Sequence, residues 1–159
     1  MKTVRADTDI RQATLQDAGA IKQCIEAAYA PVKQRISDLP DVSSGIKEDI
    51  ARNTVLVACS GTSIQGCIIC GLDGTAKGHI MNLAVDPVFA GRGIGKQLIK
   101  AAEARLTENG ARSIDLATHV GMPENVDLYS RLGWTETSRQ DNKVTMTKPV
   151  SASSLSKRD

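Results

Sequence analysis

The segment Met81–Lys96 constrains this chain more than any other. An alternating run, Met81-Asn82-Leu83-Ala84-Val85, leads through Asp86-Pro87 into Ala90-Gly91-Arg92-Gly93-Ile94-Gly95-Lys96. In order, this reads as a strand that ends, a turn through three glycines and the start of a helix. Glycine accepts left-handed dihedrals and lets backbone come close to a ligand. The first amides of a helix have no carbonyl to bond and lie at the positive end of its dipole. Together they form an anion cradle for which phosphate is the natural guest, and Arg92 and Lys96 add charge there. A purely structural glycine turn is the competing reading.

Spacing narrows the choice of phosphate ligand. A P-loop needs G-x-x-x-x-G-K-[ST]; here its first glycine position holds Ala90 and its hydroxyl position Gln97, so the magnesium ligand is missing. A dinucleotide fingerprint needs G-x-G-x-x-G near the start of a βαβ unit. This chain has G-x-G-x-G in mid-sequence, after hairpin signals.

The flanking sequence supplies the rest of the architecture. A first strand is expected over Asp9–Ala13, then a capping box at Thr14-x-x-Asp17. Ile21, Cys24, Ile25 and Ala28 recur at helical spacing, and Pro31 is expected to end that helix. A long polar loop to about Ser44 follows, then a short helix over Gly45–Arg52. Strands are expected over Thr54–Ser60, Ile64–Leu72 and Lys77–Val85, with Asp73-Gly74 turning the second into the third. The helix after the glycines carries Ile94, Leu98, Ala101, Ala102 and Leu106 on one side, with Lys96, Lys100 and Glu103 opposite, and stops at Gly110. A strand over Arg112–Ala117, a helix over Pro123–Leu132 and a hairpin at Asp141-Asn142 complete a β, α, α, β, β, β, α, β, α, β, β order. This is a mixed α/β arrangement, because antiparallel hairpins exclude a purely parallel sheet.

At 159 residues the chain suits one domain, expected over residues 9–149, with an N-terminal extension over 1–8 and a serine-rich disordered tail over 150–159. Its 20 basic and 18 acidic residues are interspersed and only 3% of residues are aromatic, which argues against nucleic acid as a partner. No apolar stretch is long enough for a membrane span, and Met1–Asp9 has no apolar core to serve as a secretory signal. Cys67 and Cys70 form a C-x-x-C within a strand-like run, where their sulfurs would face opposite ways. With Cys24 and Cys59 they read as buried thiols in a reducing cytoplasm, and no metal site is expected.

The residues also resemble a family. L-A-V-D-P followed by R-G-I-G is similar to motif A of the GNAT superfamily of N-acetyltransferases, whose [QR]-x-x-G-x-[GA] pattern falls on Ala90–Gly95 with Ala90 at its first position. Downstream, Asn125 and the run Leu128-Tyr129-Ser130-Arg131-Leu132-Gly133-Trp134 resemble the family's L-Y-x-[KR]-x-G-[FWY] segment; Met122 stands where many members have an asparagine. The resemblance runs over about residues 9–149. It implies a GNAT fold: a mostly antiparallel mixed sheet of about six to seven strands, splayed between the fourth and fifth, with about four helices. It implies acetyl-CoA as cosubstrate, no metal, and transfer of acetyl to a primary amine of a small molecule or protein by direct attack in a ternary complex.

The roles it implies are specific. Backbone amides over Leu83, Ala84 and Val85 would take the pantetheine arm and polarise the thioester carbonyl. Ala90, Gly91, Arg92, Gly93, Ile94, Gly95 and Lys96 would hold the pyrophosphate. Asn125 shares a helix face with Tyr129 and would bond the cofactor, while Tyr129 would protonate the leaving thiolate. As plain residues, Asn125 reads equally as a solvated first-turn amide and Tyr129 as a core aromatic. His79, on the face of Val85 by even spacing, is a candidate general base or else a strand-edge surface histidine; His119 is structural or substrate-facing. Tyr29, Arg35 and Asp38, with Asp41 and Glu48 nearby, fall in the region that faces the acceptor in this family. A non-catalytic acetyl-CoA-binding sensor or scaffold module is the alternative function, and exposed sheet edges are compatible with a homodimer.

Overall fold

A computed structural model describes residues 8–38 and 44–151. The expected extension before Thr8, the loop residues 39–43 including Asp41, and the tail beyond Ser151 lie outside the described residues. Among the described residues seven strands form one sheet: β1 (Asp9–Gln12), β2 (Thr54–Ser60), β3 (Ser63–Leu72), β4 (Lys77–Val85), β5 (Ser113–His119), β6 (Thr135–Gln140) and β7 (Lys143–Pro149), in the order β1-β2-β3-β4-β5-β7-β6. The described residues also form the α-helices α1 (Ala18–Lys33), α2 (Ile46–Arg52), α3 (Ile94–Glu108) and α4 (Pro123–Arg131). β1 runs antiparallel to β2, and β7 antiparallel to both β5 and β6. β4 is parallel to β5, which requires the crossover that α3 supplies. This is a mixed α/β arrangement, as expected. The β4–β5 ladder joins Lys77–Ile80 to Ser113–Leu116 and goes no further, although β4 continues to Val85.

Two compact units divide these elements, and strands β3 and β4 contribute to both: residues up to Ile69 with Asn82–Ala101, and Cys70–Met81 with Ala102 onward. In the first, the apolar stripe of α1 meets the sheet. Ile21, Ile25, Val55, Val57, Cys67, Ile69 and Ala84 form one buried cluster with Ile46 of α2; burying an isoleucine of this kind contributes about 2 kcal/mol. Gly66 decides how closely α3 approaches β3. A Cβ there would stand 3.0 Å from the Ala84 carbonyl oxygen and 3.1 Å from both Ile94 and Leu98. The expected capping box is present: the Thr14 amide donates to Asp17 Oδ2 at 2.7 Å, and Arg11 donates twice to the same carboxylate at 2.8 and 3.0 Å.

The second unit holds β5, β7 and β6, with α4 and the C-terminal half of α3. β6 is exposed along its whole length, as expected for a polar edge strand.

Several expectations need correcting. Pro31 does not end α1, which runs to Lys33; it lies in the last turn, where the one lost amide bond does little damage. β5 extends to His119, so that histidine is in the strand and not after it. Asp73-Gly74 does turn β3 into β4 as expected, and the left-handed residue of that connection is Ala76, with φ 65°. Asp73 organises that turn through its side chain, accepting from the Thr75 amide at 2.8 Å and the Thr75 hydroxyl at 2.6 Å. Glu103, expected on the solvent side of α3, is 2% exposed.

Candidate functional site

The glycine turn has the shape its sequence suggests. Asp86 closes β4 by capping a single 3₁₀ turn, its Oδ1 accepting from the Val88 amide at 3.1 Å, and the Asp86 amide donates to the Gln65 carbonyl at 2.9 Å. Ala90 is extended and exposed. Gly91 and Gly93 then take φ of +82° and +79°, with open space around both. Their requirement is therefore conformational: a side chain would be strained there by backbone sterics and not by crowding. The Gln97 amide donates to the Gly93 carbonyl at 3.1 Å, so α3 starts at once and the amides of Ile94, Gly95 and Lys96 fall in its first turn. Arg92 stacks on the ring of Phe89, 5.3 Å from the centroid, which holds the cation beside the exposed turn. An exposed, left-handed, glycine-built helix start of this kind fits a polyphosphate.

In the same unit, alternation along β4 buries Asn82 and Ala84 and leaves Leu83 and Val85 half-exposed. Asn82 is a residue the sequence reading passed over. It is 8% exposed, and its Oδ1 accepts the Tyr29 hydroxyl at 3.0 Å. Tyr29 packs on the α1 core cluster, and burial pushes its phenol above the usual range, with the nearby Cys67 thiol adding to the shift. The structure thus ties Tyr29 to β4. Arg35 and Asp38, just beyond α1, are exposed. The hydrogen bond to the Cys24 thiol, together with burial, raises the Cys67 thiol well above its ordinary value. Burial pushes Cys70 up to about 12. Both are inert as nucleophiles near neutral pH.

In the second unit, Tyr129 is buried on α4. Its ring meets that of Trp134 edge-on, with centroids 5.4 Å apart and planes at 68°. Asn125, on the same helix, donates from Nδ2 to Thr118 Oγ1 at 3.3 Å and points the same nitrogen at Met122 Sδ at 3.9 Å, so its amide links the helix start to β5. His119 Nδ1 accepts the Gly121 amide at 2.9 Å, which leaves the proton of the neutral ring on Nε2.

His79 stands against Asp73, Nε2 to Oδ2 at 3.2 Å, at the hairpin end of β4. Bonds from Thr75, and then His79, hold the Asp73 carboxyl well below the usual carboxylate range. Alternation puts His79 on the face of Leu83 and Val85, as expected. His79 lies four positions before Leu83 in the sequence of β4. Among the described residues, no group of three His, Cys, Asp or Glu side chains is arranged to hold a metal ion.

This geometry can be set beside known proteins. Residues 23–134 match the model of the acetyltransferase (GNAT) family. An uncharacterized N-acetyltransferase of Chlorobaculum tepidum is 27% identical over 135 residues, 85% of this chain and 80% of its own length. The mycothiol acetyltransferase of Propionibacterium freudenreichii subsp. shermanii is 35% identical over 66 residues; these are 42% of this chain and only 21% of that enzyme. Among solved structures, a PaiA N-acetyltransferase from Thermoplasma acidophilum in complex with coenzyme A superposes with a TM-score of 0.81 at 15% identity, over 91% of this chain and 99% of that one. The glycine turn and the Tyr129–Trp134 segment lie within the matched residues, and the chain belongs to the acetyltransferase (GNAT) family.

Proposed function

We propose that this protein transfers the acetyl group of acetyl-CoA to a primary amine of a small molecule or a peptide, by direct attack in a ternary complex. The observation that carries the reading is the turn from Ala90 to Gly93, whose two left-handed glycines open onto the first turn of α3 directly after β4. Family membership and the coenzyme A in the structure of the Thermoplasma relative support it.

Acetyl-CoA, when bound, supplies an activated thioester. Amides from Gly91 to Lys96 hold its pyrophosphate, with Arg92 and Lys96 adding charge. The amides of Leu83 and Val85 bond the pantetheine arm and lower the cost of charge on the carbonyl oxygen. Asn125 is the further cofactor contact. Tyr129 donates its phenolic proton to the departing sulfur. His79, fixed by Asp73, takes a proton from the substrate ammonium through water, which frees the amine lone pair for attack on the thioester carbonyl. Tyr29, Arg35 and Asp38 face the acceptor, and the four free, buried cysteines support a cytoplasmic setting.

A panel of amines and peptides, with release of free CoA thiol as readout, tests this directly. Thiol release should depend on an amine and fall about a hundredfold in Tyr129→Phe, with acetyl-CoA binding retained. Tight binding of acetyl-CoA with no amine-dependent release would convert the reading to a sensor or scaffold module. Binding of ATP without CoA in a calorimeter would remove it.

A further inference from the structure

The second unit contains a buried polar assembly to which the proposed chemistry assigns no part. Glu103, on α3, divides its carboxylate between two donors. Oε2 accepts the indole Nε1–H of Trp134 at 3.1 Å, and Oε1 accepts Lys148 Nζ of β7 at 2.9 Å. Lys148 also donates to the Leu132 carbonyl at 2.8 Å, in the turn that leaves α4. That turn folds back on Tyr129, whose carbonyl accepts both the Leu132 and the Trp134 amides at 3.0 Å. Gly133 makes the return possible with φ +95°, and a Cβ there would lie 3.5 Å from the Lys148 side chain. Trp134 therefore grips Tyr129 twice, by its amide on the backbone and by its ring on the phenol ring.

We propose that Glu103, held by Lys148, is a positioning residue that acts through the Trp134 indole to fix the orientation of the Tyr129 ring. The inference rests on Tyr129 as the acid in the reading above. Charge-assisted hydrogen bonds are about twice as strong as neutral ones and more directional. A buried ion pair adds little stability over well-packed apolar residues; what it adds here is direction. With one carboxylate oxygen committed to Lys148 and the other to Nε1, the indole has one rotation in its pocket. The edge of that indole sets the plane of the phenol, and an acid misplaced by an ångström loses much of its effect.

The composition makes the test unusually direct, because Trp134 is the only tryptophan and Tyr129 one of two tyrosines. Protein labelled with 3-fluorotyrosine gives two fluorine resonances, and Tyr29→Phe assigns them. In Glu103→Gln the Tyr129 resonance should shift or broaden while that of Tyr29 stays, and Trp134 emission should move to the red. Lys148→Met provides the same reading should Glu103→Gln fail to fold. The kcat of Glu103→Gln should fall about tenfold at unchanged KM for acetyl-CoA, with no further fall when it is combined with Tyr129→Phe. An unmoved Tyr129 resonance, or losses that multiply in the double variant, overturns the positioning role. A Tyr129→Phe rate equal to wild type overturns instead the acid role, and with it the catalytic meaning of the assembly.

Discussion

The glycine turn and the Glu103 assembly meet opposite demands by opposite means. The turn from Ala90 to Gly93 is exposed and, two of its four residues being glycine, presents mostly backbone. What fixes it is the absence of side chains, at Gly91 and Gly93 for dihedral freedom and at Gly66 for the approach of α3. Glu103, Trp134 and Tyr129 are at most 4% exposed, and contacts between side chains from α3, α4 and β7 carry much of their arrangement. A backbone-built site is insensitive to most substitutions and sensitive to any that adds a Cβ. A side-chain-built one fails when a single partner is removed.

The sharpest break in that contrast is Lys148→Met. It strands the Glu103 carboxylate in a buried setting, where removal of one partner of such a pair costs on the order of 3 kcal/mol. A urea midpoint shift of matching size is expected. Glu103→Gln/Lys148→Met should recover most of that loss, since no unpaired charge remains, yet leave the Tyr129 fluorine resonance displaced. Recovery of both would mean that the assembly contributes packing and nothing else.

In the first unit the corresponding break is Gly66→Val. Its Cβ would meet the Ala84 carbonyl at 3.0 Å, and a backbone atom cannot give way as a side-chain end can. Overpacking of this kind costs about 2 kcal/mol. Because the relief available is outward movement of the first turn of α3, acetyl-CoA affinity measured by calorimetry should fall along with the melting temperature. Gly93→Ala tests the same site with no crowding at all. At φ +79° an alanine is strained by about 1 kcal/mol, so binding should weaken roughly fivefold or stability fall by the equivalent amount.

How much could be read from the chain follows the same division. The glycine turn was legible because its determinants are adjacent in sequence and each glycine has a conformational reason. Five of the seven strands, and helices α2 to α4, were placed within two residues for similar reasons, while the β6–β7 hairpin was marked only by its turn residues, of which Asp141 takes φ +58°. The Glu103 assembly was not legible. Its hydrogen bonds span 31 and 45 residues, and a glutamate opposite an apolar stripe reads as solvated until the partner that buries it is known. Asn82 went unnoticed in the same way, since its partner Tyr29 is 53 residues away. Pro31 misled for another reason: a proline in the last turn removes one bond and leaves the rest of the helix intact.

The smallest effect sharpens the comparison by repeating the chemistry of Glu103 at the surface. Asp17 accepts two bonds from Arg11, which, with the Thr14 amide, hold its carboxyl down at about 2 from an ordinary 3.8. Arg11 is 43% exposed, however, so water already solvates much of the pair and its contribution is at most about 1 kcal/mol. A depressed acid contributes fully above its unfolded pKa and loses its contribution as pH falls through the folded one. Asp17→Asn should therefore lower the urea midpoint slightly at pH 7, and the gap from wild type should close between about pH 4 and pH 2. Asparagine keeps an oxygen for the Thr14 amide, so what is measured is the charge. If this exposed pair proved as costly to break as the buried Lys148–Glu103 pair, burial would not be what separates the two.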